Sequence, residues 1–223
     1  MYNKEENLKH WMSVVEWVYK NPSKDSKPQA IFVHAWPDLL LKTLKFVAEI
    51  YEELEEKPLI ILNSIDYFGS SPSGFEYCRE ALTERFKIPA GSIKAIPPAK
   101  QTLEEARGFI KVAKDESIAR AIMTSTPQHL LRAFLTDLAV LAKEKPDLKL
   151  YPAVISKDSY SWFGSYKAKS LFGGEDEKAI RLGRFASEII RILNYQNKMA
   201  QGEGDYMVAD IEDAVSYIKK LQL

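Results

Sequence analysis

Short apolar runs alternate along this chain with amphipathic stretches of roughly ten to twenty residues, and that rhythm restricts the fold more than any other feature. Ala30–His34 (AIFVH), Leu59–Leu62, a weaker run near Ser92–Ile96, Ala119–Thr124 and Lys149–Ile155 (KLYPAVI) read as strands. Between them, Asp38–Glu56, Gly74–Phe86, Thr102–Ala113 and Pro127–Lys143 read as helices. The first of these places Leu41, Leu44, Val47, Ala48 and Tyr51 on one side. Strands that alternate with helices imply βαβ units, so the expectation is a mostly parallel α/β sheet of about five strands covered on both faces. Pro152 has no N–H for a ladder bond, which predicts that the last strand lies at an edge or ends there.

The ends are helical by the same criterion. Trp11, Val14, Val15 and Val18 recur at helical spacing, and the tryptophans are expected to pack on the core. After a long loop over Ser156–Gly174, suited to covering a pocket, helices are predicted over about Glu175–Asn197 and Val208–Leu221. The organisation expected is one domain over 1–223, with a core at about 30–155 and a helical extension at about 175–221.

Composition removes several function classes. Lys+Arg and Asp+Glu both total 31, so no global field favours nucleic acid or an anionic membrane. The single cysteine, Cys78, excludes an internal disulfide and a cysteine-rich zinc site, and it reads as a small side chain partly buried on its helix. The first residues fit neither a signal peptide nor a membrane-spanning helix. A soluble cytoplasmic protein is the expectation, with room for a homo-oligomer. The chain also lacks GxGxxG, Walker A, GxSxG and HExxH patterns, which disfavours the usual dinucleotide, P-loop, serine-hydrolase and zinc-protease chemistries.

In open α/β sheets, ligands sit outside the carboxyl ends of the strands. His34 and Asp38 follow the first strand, and Asn63 and Asp66 the second. The fourth is followed by Thr124-Ser125-Thr126-Pro-Gln-His129, with Arg132 three residues on. Ser125 or Thr126 is placed to cap the helix, whose first-turn N–H groups favour an anion. His129 and Arg132 share a helix face. A phosphate or carboxylate held by those N–H groups and Arg132 is one reading. The other pairs Arg132 with a carboxylate such as Glu105 or Asp137 and leaves His129 on a carbonyl. His34 and His129 are the candidate proton carriers, since an unperturbed imidazole titrates near neutrality. Asp38 or Asp66 is suited to orienting a histidine or a ligand hydroxyl. Thr102 and Glu105 form a capping-box pattern that needs no function. No contiguous metal-ligand motif is present.

Gln101-Thr-Leu-Glu-Glu-Ala106, followed by Met123-Thr-Ser-Thr-Pro-Gln-His129-Leu-Leu-Arg132-Ala133, resembles the SanA/ElyC/YdcF-like family of bacterial proteins. Weaker echoes lie at Asn63-Ser64, Ile88–Ile93, Trp162 and Glu188–Tyr195, so the likeness spans about residues 30–198. It implies a Rossmann-like fold with a pocket at the strand ends and a nucleotide-like ligand, S-adenosylmethionine among those proposed for the family. The residues it carries over by position are Thr102, Glu105, Thr124, Ser125, His129 and Arg132. His34-Ala35-Trp36 stands where the family has a glycine-containing turn, and the membrane-spanning leader of its envelope members is not seen here. The combined expectation is an anionic, nucleotide-like or phosphorylated small molecule at the carboxyl edge of the sheet, bound by an enzyme of undetermined reaction or by a non-catalytic sensing module.

Overall fold

The structure is a computed structural model, and it describes residues 4–20, 27–34, 39–65, 74–155, 161–163, 165–168, 177–203 and 207–222. Helix α1 (Lys4–Tyr19) precedes β1 (Ala30–Val33), α2 (Leu40–Glu53), β2 (Leu59–Asn63) and α3 (Phe75–Glu80). The last widens into a π-helical turn at Ala81–Arg85. Then come β3 (Ile93–Ile96), α4 (Thr102–Asp115), β4 (Arg120–Thr124), α5 (Pro127–Glu144) and β5 (Lys149–Ala153). The chain continues with β6 (Ser165–Ala168), β7 (Glu177–Ile180), α6 (Arg181–Ala200) and α7 (Ile211–Leu221).

The five strands β3-β2-β1-β4-β5 pair in parallel, in that order, giving a Rossmann-like three-layer sandwich. Side chains alternate across the sheet. Ala30 and Phe32 join the core beneath α1, α4, α5 and α7, whereas Ile31 and Val33 join the core beneath α2 and α3. β5 is an edge strand, as Pro152 requires. Trp17 is buried against Phe134, with ring centroids 5.5 Å apart, so the amino-terminal helix packs inward as its spacing predicts. Cys78 is buried on α3, and burial pushes its thiol up to about 11. It stays protonated at neutral pH, which suits a packing residue rather than a nucleophile.

The carboxyl-terminal part differs from expectation. Residues 177–180, placed by periodicity at the start of a helix, instead pair antiparallel with residues 165–168, and α6 begins only at Arg181. Backbone pairing between two short polar segments leaves no hydrophobic period to detect. Among the described residues, no helix is long and apolar enough to cross a membrane.

The strand order fixes where a ligand site should lie. From β1 the chain moves outward through β2 to β3, then returns through α4 to place β4 on the other side of β1. The crossover helices change face at that reversal because βαβ connections are right-handed. The crevice between the carboxyl ends of β1 and β4 is therefore the topological switch point. The His34 N–H donates to the Thr124 carbonyl at 2.9 Å, which ties the two strand ends together there.

Candidate functional site

Helix α5 is the element that concentrates polar side chains at the switch point. From Pro127 to Leu138 every residue is buried, so the helix is surrounded on all sides. A helix enclosed in this way must pair each polar side chain it carries. His129, Arg132 and Asp137 find their partners just past the end of β1, on α4 and on α6.

His34 follows the parity of Phe32 and stands under α4 and α5, with the two ring centroids 4.4 Å apart. Its Nδ1 lies 2.9 Å from Glu105 Oε2, and its Nε2 lies 3.0 Å from Asp137 Oδ2. Both carboxylates and the imidazole are buried. A neutral ring has one N–H, so two partners that are both ionised carboxylates require the doubly protonated form. Burial alone would push the imidazole down, but Asp137 and Glu105 beside it hold it up, to about 10. Burial pushes Glu105 up, but its bonds to His34 and Asn63 bring it below the usual carboxylate range. Burial dominates at Asp137 and pushes it upward against the pull of His34. With Glu105 and Asp137 both ionised, neither ring nitrogen of His34 offers a lone pair and the ring is an internal cation.

A second cluster adjoins the first, with the His34 and His129 ring centroids 6.1 Å apart. The Arg132 Nε–H donates to Glu188 Oε2, Nη1 donates to Thr102 Oγ1 at 3.0 Å, and Nη2 lies 3.1 Å from His129 Nδ1. A guanidinium has only protons to give, so Nδ1 of His129 is the acceptor and the ring proton sits on Nε2, 3.5 Å from Thr102 Oγ1. The Glu188 oxygen 3.4 Å from the same Nδ1 then lies alongside without a hydrogen bond. Burial and the Arg132 charge push His129 down to about 4, so it is neutral at pH 7. Burial opposes ionisation of Glu188, but the Arg132 guanidinium beside it holds it well below the usual carboxylate range. Arg184 and Arg191, within 3.6 and 3.4 Å, add to that field.

Several expected roles are reassigned. Asn63 spends its amide on Ala99 and Glu105, and its carbonyl accepts from Ile65 and Ala99, so it clamps the β2 end to the loop before α4. The Thr102–Glu105 pair is no capping box: Gln101 is the N-cap without a side-chain bond, and the two side chains reach Arg132 and His34. Long-range charged partners win over the local cap. Ser125 donates to the His34 carbonyl at 3.2 Å rather than capping α5, and Thr126 occupies the N-cap position with no side-chain cap bond. Arg132 is paired with a carboxylate, but with Glu188 of α6 rather than Glu105 or Asp137. Asp38 and Asp66 lie outside the described residues. Asp137 and Glu188 complete the clusters; an acid embedded in the mostly apolar HLLRAFLTDLAVL run was the available signal for Asp137.

Among the described residues, four buried side-chain polar atoms have no hydrogen-bond partner, and two of them are the hydroxyls of Thr124 and Thr126. Strand alternation groups Thr124 with Ile122 on the α2 side, so the unpartnered hydroxyl of the strand end and the charged clusters flank the sheet edge on opposite sides. Tyr19, Trp162 and Phe185 form an aromatic triangle nearby, and the Tyr19 hydroxyl donates to the Pro127 carbonyl at 2.5 Å. Among the described residues no His, Cys, Asp or Glu group is arranged to hold a metal ion. A cleft of about 820 Å³ lined by Leu138, Met199, Met207 and Tyr217 lies toward the other end of α5 and includes none of these groups. Neither a protein-family model nor a curated protein matches the chain.

Proposed function

We propose that the protein binds an anionic, nucleotide-like or phosphorylated small molecule at the carboxyl ends of β1 and β4, beside the first turn of α5. The observation that carries this reading is the pair of fully buried, unpartnered hydroxyls of Thr124 and Thr126 at the switch point. A buried hydroxyl without a partner costs about 1–3 kcal/mol, and a ligand oxygen or nitrogen that bonds to it offsets that cost. The amino end of α5 adds a positive bias toward a negatively charged group. The resemblance of Thr102, Glu105 and Thr124–Arg132 to the SanA/ElyC/YdcF-like pattern points the same way, with S-adenosylmethionine among the ligands it suggests.

Arg132 is not offered as an uncommitted phosphate ligand, because Glu188 already neutralises it. It serves instead to hold His129 and Thr102 in place. A second reading, a non-catalytic sensing module, is favoured by one observation: both candidate proton carriers, His34 and His129, are already engaged by internal partners.

The test is thermal-shift screening of the wild type and of Thr124→Val and Thr126→Val against nucleotides, S-adenosylmethionine and phosphosugars. One ligand class should stabilise the wild type by about 2–3 kcal/mol at a hundredfold excess over Kd. That corresponds to roughly 5–10 °C in Tm for a domain of this size. The valine variants should keep or exceed the unliganded Tm and lose most of the ligand shift. A shift that survives both substitutions, or none with any class, removes the proposal. Mass spectrometry of the stabilising ligand after long incubation separates enzyme from sensor.

A further inference from the structure

We propose that the outward face of α6 is a self-complementary interface that joins two copies of this chain about a two-fold axis. Among the described residues, nine large apolar side chains are exposed, and five of them gather here. Leu182 (44%), Ile190 (59%) and Leu193 (43%) project from α6, with Ile180 immediately before it and Phe163 in the adjoining segment, which the Leu182 N–H to Trp162 carbonyl bond holds beside the helix start. From Leu182 to Asn197, every exposed position on the helix is uncharged, in a chain that is 28% charged. Of the three arginines of this helix, Arg184 and Arg191 turn the other way, to Glu188, and Arg181 donates to the Ser161 carbonyl. Even the Ser187 hydroxyl is folded back on the Gly183 carbonyl at 3.0 Å. Contiguous apolar patches of this kind mark interaction sites.

Shape selects the occupant. The amino half of the face is small, with Gly183, Ala186 and Ser187, and the carboxyl half is bulky, with Ile190 and Leu193. Gly183 has no reason within one copy: its φ is not positive, and a Cβ there would meet nothing within 4 Å. Glycine is nonetheless a poor helix residue. Antiparallel pairing of two α6 helices sets Leu193 over the partner's Gly183, and Ile190 over the partner's Ala186. Ridges then fill grooves, as an isologous two-fold contact demands. Parallel pairing sets small on small and leaves voids. The five apolar side chains expose on the order of 500 Å², most of the about 800 Å² per partner that a stable dimer buries. The opposite face of the same helix carries Glu188, so the interface would fix the element that anchors Arg132 and His129.

Size-exclusion chromatography with light scattering on the full chain gives the first readout. The expected mass is twice the 25.4 kDa of one chain at concentrations of tens of micromolar. Ile190→Glu, at an exposed position, should halve that mass while leaving the far-ultraviolet spectrum and Tm of the monomer intact. A Gly183→Cys/Leu193→Cys variant tests the register, since the two positions are too far apart on one helix to bond to each other. Oxidation should convert it to a covalent dimer, with each single-cysteine variant failing to cross-link. A monomeric wild type, a dimer indifferent to Ile190→Glu, or a double variant that stays uncross-linked overturns the proposal.

Discussion

Asp137→Ala will cost about 3–5 kcal/mol of folding stability, the penalty for stranding one member of a buried ion pair. Asp137 is fully buried on α5, and its carboxylate oxygens lie 3.0 and 3.1 Å from Nε2 of His34. Without it, the imidazolium keeps Glu105 on one nitrogen and faces a void on the other. The pH dependence carries the same information with a definite sign. The folded pKa of His34 is raised to about 10 from 6.5. Its contribution is therefore fully present below pH 6.5 and is lost as the pH rises toward 10. Urea unfolding across pH 6–10 should show wild-type stability falling over that window, and the Asp137→Ala variant should start lower and fall less. A triple replacement of His34, Glu105 and Asp137 by apolar residues of similar volume should recover much of the loss, since well-packed substitutes often match a buried ionic group. A loss under about 1 kcal/mol for Asp137→Ala, with an unchanged alkaline slope, would show that the triad is not held as a charged unit.

The second large effect is expected at Glu188. This buried carboxylate on α6 receives Arg132 directly and lies within 4 Å of His129, Arg184 and Arg191. Glu188→Ala leaves the guanidinium of Arg132 buried beside two others with their common counter-ion gone. A loss of about 3 kcal/mol or more is expected by the same reasoning, with hydrogen exchange of α6 rising before that of the sheet. Glu188→Gln keeps an acceptor oxygen and should lose roughly half as much. Sulfate should rescue the alanine variant better than chloride at equal ionic strength, because it can occupy the vacated anion position. Equal rescue by the two salts would reduce the arginine cluster to a diffuse surface field.

The layered architecture was legible because each strand of the main sheet is a short apolar run between amphipathic segments. Pro152 even marked the edge. The juxtaposition followed from strand ends alone: His34 after β1 and the Thr124–Arg132 stretch at the end of β4 meet as the strand order requires. What could not be read was the pairing. Thr102 and Glu105 matched a local cap, yet each side chain is taken by a partner 30 or more positions away, Arg132 and His34 respectively. Local spacing cannot compete with a buried charge that has to be neutralised. Glu188, 56 positions beyond Arg132, gave no sign of its role, because α6 alternates arginines and apolar residues like a solvated helix. The β6–β7 hairpin escaped for a different reason, since its backbone ladder is not accompanied by an apolar alternation.

Electron density at the carboxyl edge of β1 and β4, from protein crystallised out of cell extract with no step that strips bound ligands, bears most directly on the proposed site. A small molecule within hydrogen-bond distance of the Thr124 or Thr126 hydroxyl, beside the first turn of α5, is the predicted result. Both hydroxyls turned to the protein's own carbonyls, with only solvent beyond them, would contradict it.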